Sequence, residues 1–188
     1  WIDMHNFDQK KLGKGLGEMH LKSAESNPKM FGSPVEGFIG TTDQKKGWKD
    51  NWIDCFLNLR IIPQLLILKS TILDKEIINK VQDKIKSELL NHKPINSLVH
   101  GDLWSGNVGT EKNGKGVIFD PASWWADNEV DIAMTKLFGG FRKEFYEEYH
   151  RIFPIKNGFE KRIIIYNFYH ILNHANMFGG GYLKQVKD

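Results

Sequence analysis

The sequence predicts an α+β domain that is mainly helical and contains one small β-hairpin. Several segments carry apolar residues at helical spacing, separated by glycine, proline and polar residues. One strong hairpin signal, Asn113-Gly114, lies between two short apolar runs. The chain has 188 residues, of which 40% are hydrophobic, and its sequence shows no repeat or linker. We therefore expect a single domain over residues 1–188 with one core.

The predicted helices follow one another along the chain. The first covers about residues 8–22, and a loop with Asn27-Pro28 and Gly32-Ser33-Pro34 follows it. The second lies near residues 48–68, where Pro63 is expected to bend or break it. Residues 71–91 predict a third helix, because apolar residues recur at every fourth position: Leu73, Ile77, Val81, Ile85 and Leu89.

The hairpin is predicted at about residues 97–120, and three helices follow it. The first of them covers Glu129–Phe138 and ends at Gly139-Gly140, a suitable C-cap. The other two lie near residues 142–152 and 159–177.

Composition narrows the possible classes of function. The net charge is +3 and the lysines are scattered rather than gathered in a basic stripe, so nucleic-acid binding is not expected. Cys55 is the only cysteine, which excludes a disulfide within the chain, and its apolar neighbours predict a buried thiol. No apolar run is long enough to cross a membrane and no signal-peptide layout is present, so cytoplasmic localisation is the default expectation.

Residues 100–120 carry most of the functional information. His100, Asp102 and Asn107 form the pattern H-x-D-x-x-x-x-N, and a short apolar strand then ends at Asp120. The pattern is typical of protein-kinase-like phosphotransferases, in which such side chains supply a base and two metal ligands. An ordinary hairpin with an acidic rim is the alternative, since Asp and Asn are common in turns.

The hairpin spacing brings the two possible metal ligands together. If Asn113-Gly114 forms a two-residue turn, counting outward places Asn107 opposite Asp120, and opposed residues point to the same face. An amide oxygen and a carboxylate would then converge where Mg²⁺ could bind. Asp102 lies in the preceding loop, where a group that accepts a proton from an attacking hydroxyl is expected. His100 is expected to hold this loop by hydrogen bonding.

Several residues outside the motif are candidates for the site. Asp131 is expected either to anchor the catalytic loop or to act as a simple carboxylate at a helix start. Of the pair Trp124 and Trp125, one is expected in the core and the other, taken as Trp124, at the acceptor. Asn173 and His174 offer hydrogen-bonding groups suited to a sugar or an amine. The glycine cluster at residues 13–17 is predicted to be helical rather than a phosphate cradle.

Three segments around the motif resemble the fructosamine kinase (ketosamine 3-kinase) family, a relative of the aminoglycoside and choline kinases. They read LVHGDLWSGNVG, VIFDPASWW and EVDIAMTKLFGGF, and the Trp of the first distinguishes this family from those relatives. The resemblance extends over nearly the whole chain, through Leu12–His20, Trp48–Arg60 and Tyr169–Gly179. Two positions depart from it, since Gly17 replaces an Ala and Cys55 replaces a Phe.

The resemblance implies a reaction and roles for residues. Asp102 would be the general base, Asn107 and Asp120 the metal ligands, and Trp104 a wall of the sugar pocket. The reaction would be the ATP- and Mg²⁺-dependent phosphorylation of a ketoamine on the 3-hydroxyl of its sugar. In that family the product is unstable and the sugar leaves, so the activity serves deglycation and protein repair.

A complete nucleotide site is not recognisable in the sequence. A kinase-like fold needs a glycine-rich loop, a strand lysine and a helix glutamate, and none of these is found. The chain is therefore expected to be the C-terminal lobe of a protein-kinase-like fold, without the N-terminal nucleotide lobe and inactive by itself. A kinase for another hydroxylated amine, such as choline or an aminoglycoside, and a non-catalytic binding module remain alternatives.

Overall fold

A computed structural model describes residues 2–4, 7–26, 29–69, 74–112 and 114–187. It contains helices α1 to α8 and strands β1 to β8, and the described helices include none that is long and apolar enough to cross a membrane. The predicted Asn27-Pro28 turn, Leu73 of the predicted stripe and Asn113 of the hairpin turn lie outside the described residues. The mainly helical α+β class is confirmed.

The first helix, α1 (Gln9–Glu25), packs closely against α6 (Lys143–Ile152). Asp8 begins α1 by accepting a hydrogen bond from the backbone N–H of Lys11. Gly13 and Gly17 face α6, and a Cβ built on Gly13 would lie 2.1 Å from the carbonyl oxygen of Phe145. The glycine cluster is therefore part of a helix–helix contact, as the helical prediction required, and not a phosphate cradle.

The second predicted helix is continuous but irregular. It consists of α2 (Trp52–Phe56), one π-helical turn (Leu57–Ile61) and α3 (Ile62–Lys69). Of the bend or break expected at Pro63, the break is wrong, because α3 runs through this residue; the irregularity is the π-helical turn just before it. Proline cannot donate to the carbonyl of Leu59, which instead accepts a hydrogen bond from the buried Arg60 guanidinium at 2.8 Å.

Four short strands occupy the predicted loop and the first residues of the predicted second helix, which begins only at Trp52. They are β1 (Phe31–Ser33), β2 (Gly37–Ile39), β3 (Thr42–Gln44) and β4 (Gly47–Lys49). β2 and β3 form a separate hairpin, whereas β1 joins a sheet of order β4-β1-β8-β5 with β5 (Asn96–Val99) and β8 (Trp124–Asp127). The prediction of a loop was wrong because three-residue strands are too short to show periodicity, and β1 in addition pairs with the distant β8.

The catalytic hairpin is formed by β6 (Val108–Thr110) and β7 (Gly116–Ile118). Gly114 has φ +79° and donates to the carbonyl of Glu111, while the N–H of Glu111 donates to the carbonyl of Lys115. The turn therefore has three residues rather than two, with a glycine bulge. The register moves by one residue, so that Phe119 and not Asp120 bonds to the backbone of Asn107, and the predicted pairing is wrong.

Helix α7 (Phe159–Phe178) packs against α5 (Glu129–Leu137), α3 and α8 (Gly180–Lys187).

The remaining helix, α4 (Lys75–Leu89), is capped by Asp74 and buries Ile85 and Leu89, as its stripe predicted. Ile77 is 41% exposed, and Ile78 is buried in its place. In the aromatic centre of the core, the ring of Trp52 contacts those of Phe56, Trp124 and Tyr166. Cys55 is fully buried, as expected, and burial raises the pKa of its thiol to about 12.

Candidate active site

The catalytic loop, residues 100–107, connects β5 to β6 and is fixed to α5 by one carboxylate. Asp131 accepts hydrogen bonds from the backbone N–H groups of His100 at 2.7 Å and Gly101 at 2.8 Å. Burial alone would raise the pKa of Asp131, but the hydrogen bonds from His20 and from the backbone N–H of Gly101 lower it. The charged form is therefore favoured, and of the two predicted roles the observed contacts are those of a loop anchor.

A buried relay supports Asp131 from behind. His20 contacts the Asp131 carboxylate through Nε2 at 3.1 Å and the Tyr149 hydroxyl through Nδ1 at 2.8 Å. Because Asn128 donates to that hydroxyl at 2.9 Å, the tyrosine proton is free to go to His20, whose Nε2–H then donates to Asp131. His20 was not among the predicted site residues, although it ends the segment Leu12–His20 of the family resemblance and lies on the apolar face of a helix.

His100 ties the loop to the strand end that carries Asp120. Its Nε2 bonds to the carbonyl of Phe119 at 2.9 Å, so this nitrogen carries the proton, and Nδ1 accepts from the N–H of Asp102 at 3.3 Å. The carbonyl of His100 also accepts from the N–H of Ala122. These contacts are those of a positioning residue.

Asp102 and Asn107 are in direct contact. The Asn107 amide nitrogen donates to the backbone carbonyl of Asp102 at 2.9 Å and to its Oδ2 at 3.3 Å. Burial raises the pKa of Asp102, and the negative charge of Asp120 raises it further, against opposing effects of His100 and His174. A carboxylate with a raised pKa in a partly closed site is suited to accept a proton.

Asp120 lies one residue beyond the paired part of the hairpin. Its backbone has φ +56°, which is uncommon for a residue with a side chain and departs from the strand geometry of β7. In a regular strand, Phe119 and Asp120 would point to opposite faces, so the register shift alone would turn Asp120 away from Asn107. The left-handed backbone breaks this alternation, and the charge of Asp120 acts on Asp102.

His170 is a further group at the site, not singled out by the sequence motif. It is fully buried on α7, with Nδ1 3.9 Å from Oδ1 of Asp102, and among the described residues neither ring nitrogen has a hydrogen-bond partner. Burial lowers its pKa to about 3, so the imidazole is neutral at physiological pH. An isolated histidine on a helix gives no signal of this position.

Two of the predicted acceptor residues lie at the surface beside Asp102. Trp104 is 39% exposed, and its ring covers Gly106 so closely that a Cβ there would clash. His174 is half-buried, and its Nδ1 donates to the carbonyl of His170 at 2.8 Å, which leaves Nε2 for another contact. The structure therefore brings Trp104 and His174 together with the catalytic loop.

The other two predicted acceptor residues lie inside the protein. Trp124 is 1% exposed, stacks on Trp52 at 5.5 Å and lies under the Arg60 guanidinium at 4.0 Å, so it belongs to the core and Trp125 is the partly exposed member of the pair. Asn173 is buried between α3 and α7, where Gln64 donates to it at 3.4 Å. In this structure neither Trp124 nor Asn173 faces an open acceptor surface, contrary to the expectation.

A second polar cluster lies away from the catalytic loop. His92, Asp127 and Glu129 bring their ligand atoms within 4.8 Å of one another. The carboxylate oxygens of this cluster already accept hydrogen bonds. Arg162 donates to both Glu129 oxygens at 2.6 and 2.8 Å, and Tyr166 donates to Asp127 at 2.6 Å. The cluster is therefore a structural ion-pair network and not a metal site.

The fold and the catalytic loop together define the class of protein, which is a kinase-like phosphotransferase fold. Among solved structures, the choline kinase LicA from Streptococcus pneumoniae matches 100% of this chain and 59% of its own, with a TM-score of 0.57 and 14% identity. A protein assigned as a fructosamine-3-kinase from Haemophilus somnus matches 100% of this chain and 64% of its own, with a TM-score of 0.86 and 26% identity.

The sequence comparison identifies the family within this class. The family model "Fructosamine kinase" matches residues 1–188, and the chain belongs to this family. A protein of Vibrio parahaemolyticus named "probable ketoamine kinase" is 44% identical over 177 residues, which are 94% of this chain and 60% of that protein. The chain thus spans about 60% of the length of this curated relative.

Proposed function

We propose that this chain forms the catalytic and acceptor-binding part of an ATP-dependent kinase that phosphorylates ketoamines on the 3-hydroxyl of the sugar. The observation that carries the proposal is the pair of Asp102 and Asn107, in contact on a loop anchored by Asp131. Family membership and the name of the Vibrio parahaemolyticus relative support the substrate class. Service in deglycation and protein repair, and cytoplasmic localisation, stay predictions.

Asp102 is the proposed base. A sugar hydroxyl placed at its carboxylate would give up its proton as the oxygen attacks phosphorus, and the raised pKa of Asp102 makes the carboxylate a better acceptor for that proton. The hydrogen bond from Asn107 holds the carboxylate in position. His100 and Asp131 fix the loop backbone on either side, so the base is held in place before substrate binds.

The donor set fits a magnesium ion. Asn107 directs its amide nitrogen at Asp102, which leaves the amide oxygen as a ligand, and Asp120 is an exposed carboxylate whose charge reaches Asp102. Mg²⁺ prefers such oxygen ligands and completes its shell with water and phosphate oxygens. Bound there with ATP, it would neutralise charge on the phosphates.

The groups that would hold the nucleotide are proposed to lie outside these 188 residues. No glycine-rich loop with its lysine and glutamate is recognisable in the sequence, and the chain spans 60% of its Vibrio relative. The proposed kinase is therefore the whole protein, in which this chain would be the C-terminal lobe and a second lobe would hold ATP.

Phosphate transfer to a simple ketoamine tests the proposal. The full-length protein is expected to phosphorylate deoxyfructosyl-morpholine in the presence of ATP and Mg²⁺, with choline and an aminoglycoside as control acceptors and the 188-residue chain assayed in parallel. Transfer to the ketoamine alone would support the proposal. Transfer to choline or the aminoglycoside instead would assign the protein to another substrate class of the same fold. No transfer to any acceptor would favour a binding role.

A further inference from the structure

An exposed aromatic surface lies next to the catalytic loop, and the proposed chemistry at Asp102 does not use most of it. It is formed by the rings of Trp104, Phe138, His174, Phe178 and Tyr182, which we call the aromatic surface. Trp104 meets Phe138 at 6.3 Å between ring centroids, and Phe138 meets His174 at 5.1 Å. His174 in turn contacts Phe178 at 5.7 Å and Tyr182 at 5.0 Å.

The aromatic surface is exposed to an extent that core packing does not explain. Phe138 is 41% exposed and Phe178 is 64% exposed, beside the exposed Trp104. Single exposed apolar residues are common on proteins, whereas contiguous exposed groups of them mark binding sites. Four large rings that touch one another around one histidine form such a group.

One end of the aromatic surface is held by close packing between Gly140 and Ser105. Gly140 approaches Ser105 so closely that a Cβ on it would lie 2.4 Å from the serine Cβ. The buried side chain of Gln9 donates to the carbonyl of Gly140 and accepts from the N–H of Arg142. The segment after Phe138 is thus held against the loop that carries Trp104. Such a support is expected for a site that binds a ligand without rearrangement.

A glycine turn positions the remaining rings. Gly179 and Gly180 have φ +63° and +55°, a left-handed conformation that glycine adopts without strain. This turn ends α7 and starts α8. It places the ring of Tyr182 in contact with the rings of both His174 and Phe178. The aromatic surface is therefore formed by three separate segments of the chain, brought together around His174.

The charge at this place favours a cation. His174 bonds to the carbonyl of His170, whose ring lies 3.9 Å from the Asp102 carboxylate, and the negative charge of Asp120 acts on the same carboxyl. The aromatic surface therefore adjoins two carboxylates. The faces of aromatic rings attract cations, with tryptophan the strongest of the three types. A ligand with an ammonium group and an apolar substituent matches both features.

We propose that the aromatic surface is the subsite for the amine end of the ketoamine, where it holds the protonated amine and its alkyl substituent. The inference rests on the proposed function, which places the sugar at Asp102, and it names the part of the substrate that distinguishes a ketoamine from a free sugar. The nitrogen of a ketoamine is bonded to the first carbon of the sugar, so it lies within a few ångströms of the hydroxyl to be phosphorylated. Trp104 would contact both ends of the substrate, and Phe138, Phe178 and Tyr182 only the amine end.

Calorimetric binding to the full-length protein tests the subsite with two matched ligands. The first is 1-deoxy-1-butylamino-fructose, whose secondary amine is protonated at neutral pH, and the second is the 1-O-butyl ether of fructose, which lacks the cation. The wild-type protein is expected to bind the ketoamine about fivefold more tightly than the ether. Phe138→Leu and Phe178→Leu are expected to remove most of this preference and to leave the affinity for the ether nearly unchanged.

Ile164→Ala is the matched control, because Ile164 is an exposed apolar residue on the same helix as Phe178 and lies 14 positions from it. It is expected to retain the preference. Equal affinity of the wild type for the two ligands, no binding of either, or a preference that survives in both phenylalanine variants, would overturn the inference. Binding needs no phosphate transfer, so a protein that shows the preference but fails to phosphorylate would overturn the proposed function and leave the subsite standing.

Discussion

Individual residues of the site depend on partners that lie far away in the sequence. The base candidate Asp102 is held by Asn107, but its loop is anchored by Asp131, which rests on His20 and through it on Tyr149. All of these groups are buried or nearly so, where an unpaired polar atom costs much more than at the surface. The effect of a substitution therefore depends on how many hydrogen bonds its buried partners lose.

Asp102→Asn in the full-length protein is expected to lower kcat by about a thousandfold, because it removes the proton acceptor and keeps the shape of the side chain. The binding of Mg²⁺-ATP is expected to change little. Asp120→Ala is the comparison, and it should weaken metal-dependent nucleotide binding instead. Steady-state kinetics and nucleotide titration separate the two effects, and an Asp102→Asn enzyme with near-normal kcat would exclude this residue as the base.

His170→Leu is expected to raise the free energy of unfolding by about 1–2 kcal/mol. The imidazole is fully buried, and its nitrogens have no hydrogen-bond partner among the described residues, so the wild type bears a desolvation cost that leucine avoids. Urea unfolding measures the change. A loss of stability would show that His170 has a partner that this structure does not contain.

Asp131→Asn is expected to lower the free energy of unfolding by about 3 kcal/mol at pH 7, since two buried N–H groups and His20 lose a charged acceptor. Because the pKa of Asp131 is lowered in the folded state, its contribution is present above the unfolded pKa of about 4 and is lost as the pH falls through the folded pKa. The difference between the wild type and the variant should therefore shrink in acid. Urea unfolding at pH 7, 4 and 3 checks this, because the loss is expected below pH 4, and a difference at pH 3 equal to that at pH 7 would contradict it.

At the scale of elements, close approach of helices decides which glycines matter. Gly13 and Gly15 both lie inside α1, but only Gly13 faces α6, where a Cβ would meet the Phe145 backbone. Nothing lies within 4 Å of a Cβ built on Gly15. Gly13 therefore allows α1 to approach α6 closely, whereas Gly15 only lowers the stability of the helix.

Gly13→Ala is expected to destabilise the protein by about 3 kcal/mol, since backbone atoms of α6 would have to move. Gly15→Ala is the matched control and is expected to stabilise it by about 0.5–1 kcal/mol, the ordinary gain in helix propensity. Thermal unfolding of the two variants gives both values. Equal effects of the two substitutions would show that α1 and α6 do not pack as described.

At the scale of the whole molecule, one buried network joins four elements. His92 follows α4, Asp127 ends β8, Glu129 begins α5, and Arg162 lies in the first turns of α7. Arg162 forms two hydrogen bonds with Glu129 and also donates to the carbonyls of Lys156 and Asn157. The network therefore connects the sheet to α7, the helix that carries His170 and His174.

Arg162→Met is expected to lower the free energy of unfolding by about 3–5 kcal/mol, because it removes both charge-assisted hydrogen bonds of the buried Glu129 carboxylate. The double variant Glu129→Gln/Arg162→Met should recover part of this loss, since no charge is then left buried without its partner. Urea unfolding of the single and double variants measures the coupling. A double variant that is less stable by the sum of both single effects would contradict the account.

Local and short-range information determined much of this protein. The helical elements near residues 8–22, 48–68, 71–91 and 129–177 are detectable because amphipathic spacing and caps act within a few residues. The candidate base and metal ligands are likewise detectable, because Asp102, Asn107 and Asp120 lie in one short segment with a recognisable spacing. The family resemblance rests on the same short motifs and was confirmed over the whole chain.

Only the tertiary structure decided the rest. β8 pairs with β5 over its whole length and with β1 at Gly32 and Trp125, more than ninety residues apart, and its place between these two strands accompanies the burial of Trp124 rather than Trp125. The hairpin register depended on whether the turn has two or three residues. Both turn lengths are common, so the position of Asn113-Gly114 alone could not decide between them. His20, His170 and the aromatic surface acquire their roles through neighbours that only folding brings together. These contacts join residues that are far apart in the chain, so no local pattern in the sequence indicates them.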